Sequence, residues 1–415
     1  MTQAAPEGGP GTATAPDAPA EGGAEAAPAV PAPTGPAPAG PGGPYASAGL
    51  GFVLAADGSY AARLAGEGQA RYPERWTLDG PEPYAVPLPL GQPEEADSEV
   101  LPLTDGRVLI HRRVAGHHAF SLLYPTGSHA GPHTGPRTGQ LPLGALECDG
   151  RLTLLPPAPD GRSAYALAVD GHSTTVWQVA GGAFGPERVA ELSGRCSGGV
   201  WLDREGRLLA LDREREGRTK TVVVDLGRGG EVSPLLQITE ASDDRLLLAD
   251  PDSGLLLIRS DAPSPGEGAR IGWGVLGSSR PVRFPECLRA EGASAVPFAV
   301  QPGQMLMPES CAVALRIGDP GPGAAAGAAG IALWRPADRH VFRLGAPMGW
   351  VGTGLWSREG RLRLPYTTPF VPCGVVGLGL PPGPPPPVRS EAGPAPDPAP
   401  APAPRPVPLQ QAPLR

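Results

Sequence analysis

Five of the seven histidines, His111, His117, His118, His129 and His133, fall within one short stretch, a density that invites a metal site. The residues between them argue for solvated loop histidines instead. His129-Ala130-Gly131-Pro132-His133 is a Gly/Pro loop, where an i, i+4 spacing puts no two imidazoles on one helical face. His117 and His118 follow a hairpin turn as neighbours on a strand, so their side chains point to opposite faces. The acidic pairs Glu94-Glu95 and Asp243-Asp244 could hold a cation or act as a general acid, but charge pairs in turns are expected to be solvated. A serine hydrolase needs a G-x-S-x-G elbow, which neither Gly194-Arg195-Cys196-Ser197-Gly198 nor Gly277-Ser278-Ser279 supplies. The Gly-rich stretch from Gly321 to Gly330 lacks the lysine of a phosphate loop and reads as a loop insertion before the strand Ile331-Ala332-Leu333-Trp334. No catalytic, cofactor-binding or metal-ligating residue is therefore assigned, no cofactor is expected, and the chain is expected not to be an enzyme.

Cys148, Cys196, Cys287, Cys311 and Cys373 are odd in number, widely spaced and free of any C-x-x-C pair, so most are expected to be buried small hydrophobes. The formal charge is -8, and Glu7, Asp17, Glu21 and Glu25 contribute to it from a first 44 residues that hold no Lys or Arg. The remaining mild acidity gives no reason to bind nucleic acid or anionic lipid. Met1-Thr2-Gln3-Ala4-Ala5-Pro6 has neither a basic nor an apolar leader region, and no apolar run reaches the length of a membrane span, so a cytoplasmic location is expected. Lys220 is the only lysine and Asn is absent, a bias expected of a GC-rich, actinobacterial genome. Without Asn, tight hairpins must rely on Asp-Gly.

The elements that would position any site come from the distribution of Gly and Pro. Residues 1–44 and 381–415 are Ala, Pro and Gly with few large apolar side chains, and both tails are expected to be disordered. Residues 45–380 hold short apolar runs bounded by Gly, Pro and Asp, the pattern of strands. A turn followed by an apolar strand recurs at Asp57-Gly58, Asp105-Gly106, Asp160-Gly161, Glu205-Gly206, Asp252-Ser253-Gly254 and Glu359-Gly360, with a weaker copy at Pro302-Gly303. A spacing of roughly 50 residues is that of four-stranded propeller blades. Seven marks predict an all-β propeller of about seven blades, each of about four antiparallel strands.

Pro159-Asp160-Gly161-Arg162, a strand, Asp170-Gly171, then Val176-Trp177-Gln178-Val179 and Gly181-Gly182 resembles the WD40-like propeller repeat of the TolB family. The copy from Trp201 to Gly230 is similar, with Glu205 in place of the family's Asp. The resemblance implies the fold and no activity. Gly51-Phe52-Val53-Leu54 is expected to complete the last blade by pairing near Leu362 and Val375. Trp177, Trp201, Trp273, Trp334 and Trp356 are expected to fill the space between blades, and Trp350 to be exposed. A ring without catalytic constellations is expected to serve as a non-enzymatic cytoplasmic scaffold for an unidentified protein partner. The alternative is an enzyme or small-ligand binder with its site in the central channel.

Overall fold

The computed structural model describes residues 51–127, 137–266, 268–289, 294–318 and 330–380. The two tails, His129, His133 and the Gly-rich insertion up to residue 329 lie outside the described residues. Seven antiparallel sheets follow one another along the chain, each built from consecutive strands. Blade 1 holds β1 (Val53–Leu54), β2 (Tyr60–Ala65), β3 (Tyr72–Thr77) and β4 (Tyr84–Pro87). Blade 2 holds β5 (Glu99–Pro102), β6 (Val108–Val114), β7 (His117–Thr126) and β8 (Arg137–Glu147). In blade 3 come β9 (Arg151–Leu154), β10 (Ala164–Asp170), β11 (Ser173–Ala180) and β12 (Glu187–Ser193), and in blade 4 β13 (Arg195–Trp201), β14 (Leu208–Arg215), β15 (Arg218–Asp225) and β16 (Glu231–Leu236). Blade 5 has three strands, β17 (Asp244–Ala249), β18 (Leu255–Ser260) and β19 (Arg270–Val275). Blade 6 has β20 (Ser294–Val300), β21 (Val313–Gly318), β22 (Gly330–Trp334) and β23 (Phe342–Gly345), and blade 7 has β24 (Leu355–Trp356), β25 (Arg361–Tyr366) and β26 (Gly374–Gly379). No helix among the described residues is long and apolar enough to cross a membrane.

Each of the seven recurrent turns connects the first and second strands of a blade, and six of their glycines have φ between 69° and 84°, where a Cβ is strained. Space is restrictive as well: a Cβ on Gly161 would sit 2.3 Å from the Thr104 hydroxyl of the preceding blade. Asp57, Asp105 and Asp160 each accept the backbone N–H two residues on, the Asx geometry that makes Asp the natural partner of Gly here.

The apolar residues collect between blades. Leu155, Leu167 and Val176 of blade 3 pack on Leu209, Leu211 and Val222 of blade 4, and Leu255, Leu257 and Trp273 of blade 5 on Val313, Leu315 and Trp334 of blade 6. Seven such clusters fill seven interfaces. The seventh joins the ends: Phe52, Ala61 and Trp76 of blade 1 meet Val351 and Cys373 of blade 7, with Phe52 edge-on to Trp76 at 4.9 Å. Arg363 of blade 7 adds hydrogen bonds to the Leu78 carbonyl (2.6 Å) and to Asp79 (2.9 Å).

Two expectations are corrected here. Gly51–Leu54 does not complete the last blade; Val53 pairs with Ala62 and Leu54 with Ala61, because the Asp57-Gly58 turn returns the chain at once and makes the neighbouring strand the ladder partner. The ring closes instead by side-chain packing and the Arg363 hydrogen bonds. Trp350 is buried: its backbone bridges to Tyr366, its Nε1–H donates to the Thr353 carbonyl at 2.7 Å, and its ring packs against Phe298. The exposed side chain is its neighbour Met348.

Candidate binding sites at the two ends of the ring

Strands alternate in direction, so the recurrent turns fall at one end of the ring and the second-to-third-strand turns at the other. At the latter end the innermost strands begin, and each leaves an unpaired backbone edge facing the axis. Side chains of the preceding blade cap several of these groups. Glu99 Oε2 accepts the Leu154 N–H at 3.0 Å, and Asp212 Oδ1 accepts the Leu246 N–H at 3.1 Å. Arg259 donates to the Ala295 carbonyl at 3.1 Å, and Arg316 to the Gly352 carbonyl at 3.5 Å. Arg259 stands directly across the ladder from Arg245. Burial and the charge of Arg245 both hold Arg259 below the usual arginine range, and no carboxylate among the described residues pairs with it.

Between blades 2 and 3 this end opens into a cleft of about 450 Å³, lined among others by Asp97, Glu99, Arg113, His118 and Arg151. The turn Ala115-Gly116 pairs Arg113 with His118 and His111 with Phe120, which puts all four on one face of the sheet. Glu99 Oε2 lies 3.0 Å from His111 Nδ1, and His111 Nε2 lies 2.8 Å from His118 Nδ1. With Glu99 ionised, His111 Nδ1–H donates to it, His111 Nε2 accepts from His118 Nδ1–H, and His118 Nε2 is left with a lone pair. That nitrogen is buried without a hydrogen-bond partner among the described residues, and the nearby Cys148 backbone favours the protonated ring. Burial first, then the charges of His111 and Arg113, keep His118 below the usual histidine range. His117 points away as expected, exposed and 3.7 Å from Glu147.

The pairing of His111 with His118 was not foreseen from their spacing. Residues seven apart meet only because a two-residue turn folds one strand onto the next, and counting the ladder back across the hairpin turn before His117 to His111 is the step that would have found it.

The acidic pairs are not the solvated turns expected. Glu94 is buried against Arg112 in a two-pronged ion pair, both contacts 2.7 Å, whereas Glu95 is exposed. Asp244 is fully buried beneath Lys220 Nζ (2.8 Å), Ser242, Ser260 and the Ile238 N–H. Burial opposes its ionisation, but these donors hold it below the usual carboxylate range. Asp212 has less help. Burial pushes it up to about 6, against hydrogen bonds from Thr221 and Leu246 and the charge of Arg245, and its Oδ2 has no hydrogen-bond partner. Cys196, Cys311 and Cys373 are buried, and burial pushes the Cys196 thiol up to about 11, so it packs as a small hydrophobe.

At the end carrying the recurrent turns, Phe184, Met305 and Met307 stand in solvent, the first two at 94 and 95 % exposure. Met348 and Phe370 do so on the loops of blade 7 at the opposite end.

No family model matches the chain, and no curated protein matches it. Among solved structures it is similar to TolB from Acinetobacter baumannii, with TM-score 0.39 and 12 % identity over 80 % of this chain and 81 % of that one. It is similar to the β-propeller domain of the Trilobed protease from Pyrococcus furiosus, with TM-score 0.46 and 10 % identity over 79 % of this chain and 93 % of that one. For prolyl oligopeptidase B from Galerina marginata the TM-score is 0.46 and the identity 12 %, over 78 % of this chain and 48 % of that one. A shared fold carries no activity of its own, so function rests on this chain's own surface.

Proposed function

We propose that this propeller is a non-enzymatic platform for protein–protein interaction. The observation that supports it is the set of large apolar side chains carried on loops, Phe184, Met305, Met307, Met348 and Phe370, each more than two thirds exposed. Methionine adapts its shape to irregular surfaces, and three of the four methionines in the chain are placed this way. Rigid blades hold these loops at fixed separations, the arrangement that suits recognition of a folded partner. Affinity capture from the native host tests the reading. The full chain is expected to recover a stoichiometric partner, and Met348→Ser with Phe370→Ser to lose at least tenfold of it while melting unchanged. Recovery of the chain alone under gentle conditions refutes it.

A second reading, a small-ligand site in the blade 2–3 cleft, is favoured by the unpartnered His118 Nε2 beside Arg113 and Arg151, neither of which has a carboxylate partner among the described residues. Inorganic phosphate, whose remaining O–H can donate to that lone pair while its charge meets the two arginines, should then shift the His118 ring resonances at millimolar concentration, and an unmoved spectrum removes this reading.

A further inference from the structure

Outermost strands leave a row of backbone N–H and C=O groups open, and proteins blunt such edges with charge, proline or cover. In this ring β4 carries Pro87, β8 carries Arg137, Pro142 and Glu147, and β12 carries Glu187, Arg188 and Glu191. Further on, β16 has Glu231 and Pro234, and β23 has Arg343. The outer strand of blade 5, β19, has Arg270 and is overlaid where Trp273 bridges to Arg283. Among the described outer strands only β26, Gly374-Val375-Val376-Gly377-Leu378-Gly379, has neither a charge nor a proline, and it ends a blade of three strands where most have four. Among the described residues no backbone group pairs along its outer side.

The surroundings of this edge are equally specific. Phe370, 93 % exposed, and Val371 stand on the loop that leads into β26, and Met348 lies on the adjacent loop, which is tied to theirs by the Thr367 N–H donating to the Gly349 carbonyl at 2.9 Å. At the other end of the strand, Arg361 faces Gly379 across the ladder and rests on the Gly377 carbonyl at 3.3 Å, with no carboxylate partner among the described residues.

We propose that β26 is a strand-addition site: an extended, proline-free segment of a partner protein pairs with its outer edge, sets an apolar side chain against Phe370, and places a carboxylate beside Arg361. Main-chain hydrogen bonds supply the affinity and the two ends supply the register. A second copy of this chain fits less well, because its own β26 brings no acid to Arg361. The proposal rests on the platform reading and names where on the ring, and by what chemistry, a partner binds.

The test uses the full chain and a synthetic acetylated peptide of alternating valine and threonine with one central glutamate. Amide hydrogen exchange of residues 374–379 should slow at least tenfold on adding the peptide, with no change in β12 or β23. The effect should vanish when the peptide's glutamate is replaced by lysine. It should also vanish in Gly379→Glu, which adds a carboxylate opposite Arg361 at a position where a Cβ meets nothing within 4 Å. The melting temperature of that variant should equal the parent's. Amides of β26 already as protected as those of β25 in the free chain, slowing spread over all outer strands, or equal slowing in Gly379→Glu would each overturn the proposal. A partner captured from the host that persists undiminished on Gly379→Glu also overturns it and leaves the platform intact. A host that yields no partner removes the platform, while the peptide experiment still decides the edge.

Discussion

Replacing Asp212 with asparagine separates the cost of a buried charge from the value of the hydrogen bonds around it. Asp212 is 2 % exposed, its Oδ1 accepts from Thr221 at 2.8 Å and from Leu246 at 3.1 Å, and the nearest guanidinium, that of Arg245, is 3.8 Å away. Burial raises its pKa from the ordinary 3.8 to about 6. A carboxyl with a raised folded pKa holds its proton more tightly folded than unfolded. Stability from this group is therefore fully present below pH 3.8 and is lost as the pH rises to about 6. At about 1.4 kcal/mol per pKa unit the loss approaches ~3 kcal/mol by pH 7. Asparagine keeps the Oδ1 acceptor, fits the same space and carries no charge to desolvate. Urea unfolding of the two proteins at pH 4 and pH 7.5 is expected to show similar midpoints at the lower pH, and at the higher pH a variant more stable than the parent by about 2 to 3 kcal/mol. A difference independent of pH, or a parent that gains on the variant as the pH rises, would refute the reasoning.

Other substitutions probe the ring and the cleft. Gly161→Ala combines φ 69° with a clash at Thr104 and should cost about 2 kcal/mol or more, whereas Gly217→Ala, at φ 73° with open space around it, should cost about 1 kcal/mol, both read from thermal midpoints. Trp76→Ala empties the joint between first and last blades, where the indole is fully buried and its Nε1–H donates to Glu74 at 2.7 Å, and should destabilise by about 3 to 5 kcal/mol in denaturant titration. His118 should titrate below 6.5 by NMR, and Glu99→Gln should lower it further, because the Glu99 charge favours the protonated ring. Since the folded pKa is depressed, stability from His118 is lost as the pH falls below 6.5.

The fold was legible because its mark is local. Asp-Gly before an apolar run reports a positive φ and an Asx turn within four residues, and Asp105-Gly106 or Asp160-Gly161 needs no distant contact to be read. How the ring closes was not legible. Phe52 meets Val351 and Cys373 some 300 residues away by packing alone, and packing leaves no periodic trace in sequence. Trp350 misled for a related reason: Met348-Gly349-Trp350 reads as a loop, yet the Gly349 φ of 74° turns the indole inward and leaves Met348 outside. The cleft was hidden by direction. His117 and His118 do diverge, but the partner of His118 is the earlier His111, brought back by Ala115-Gly116.

Photo-crosslinking residues at Phe184, Met305 and Phe370 of the full chain, expressed in its native host, report on what these loops touch. One partner protein, captured in near-stoichiometric yield from at least one of these positions and absent when the crosslinker is placed at exposed Glu95, is the predicted outcome. Equal, diffuse labelling from every position, or capture of nothing, would contradict the platform.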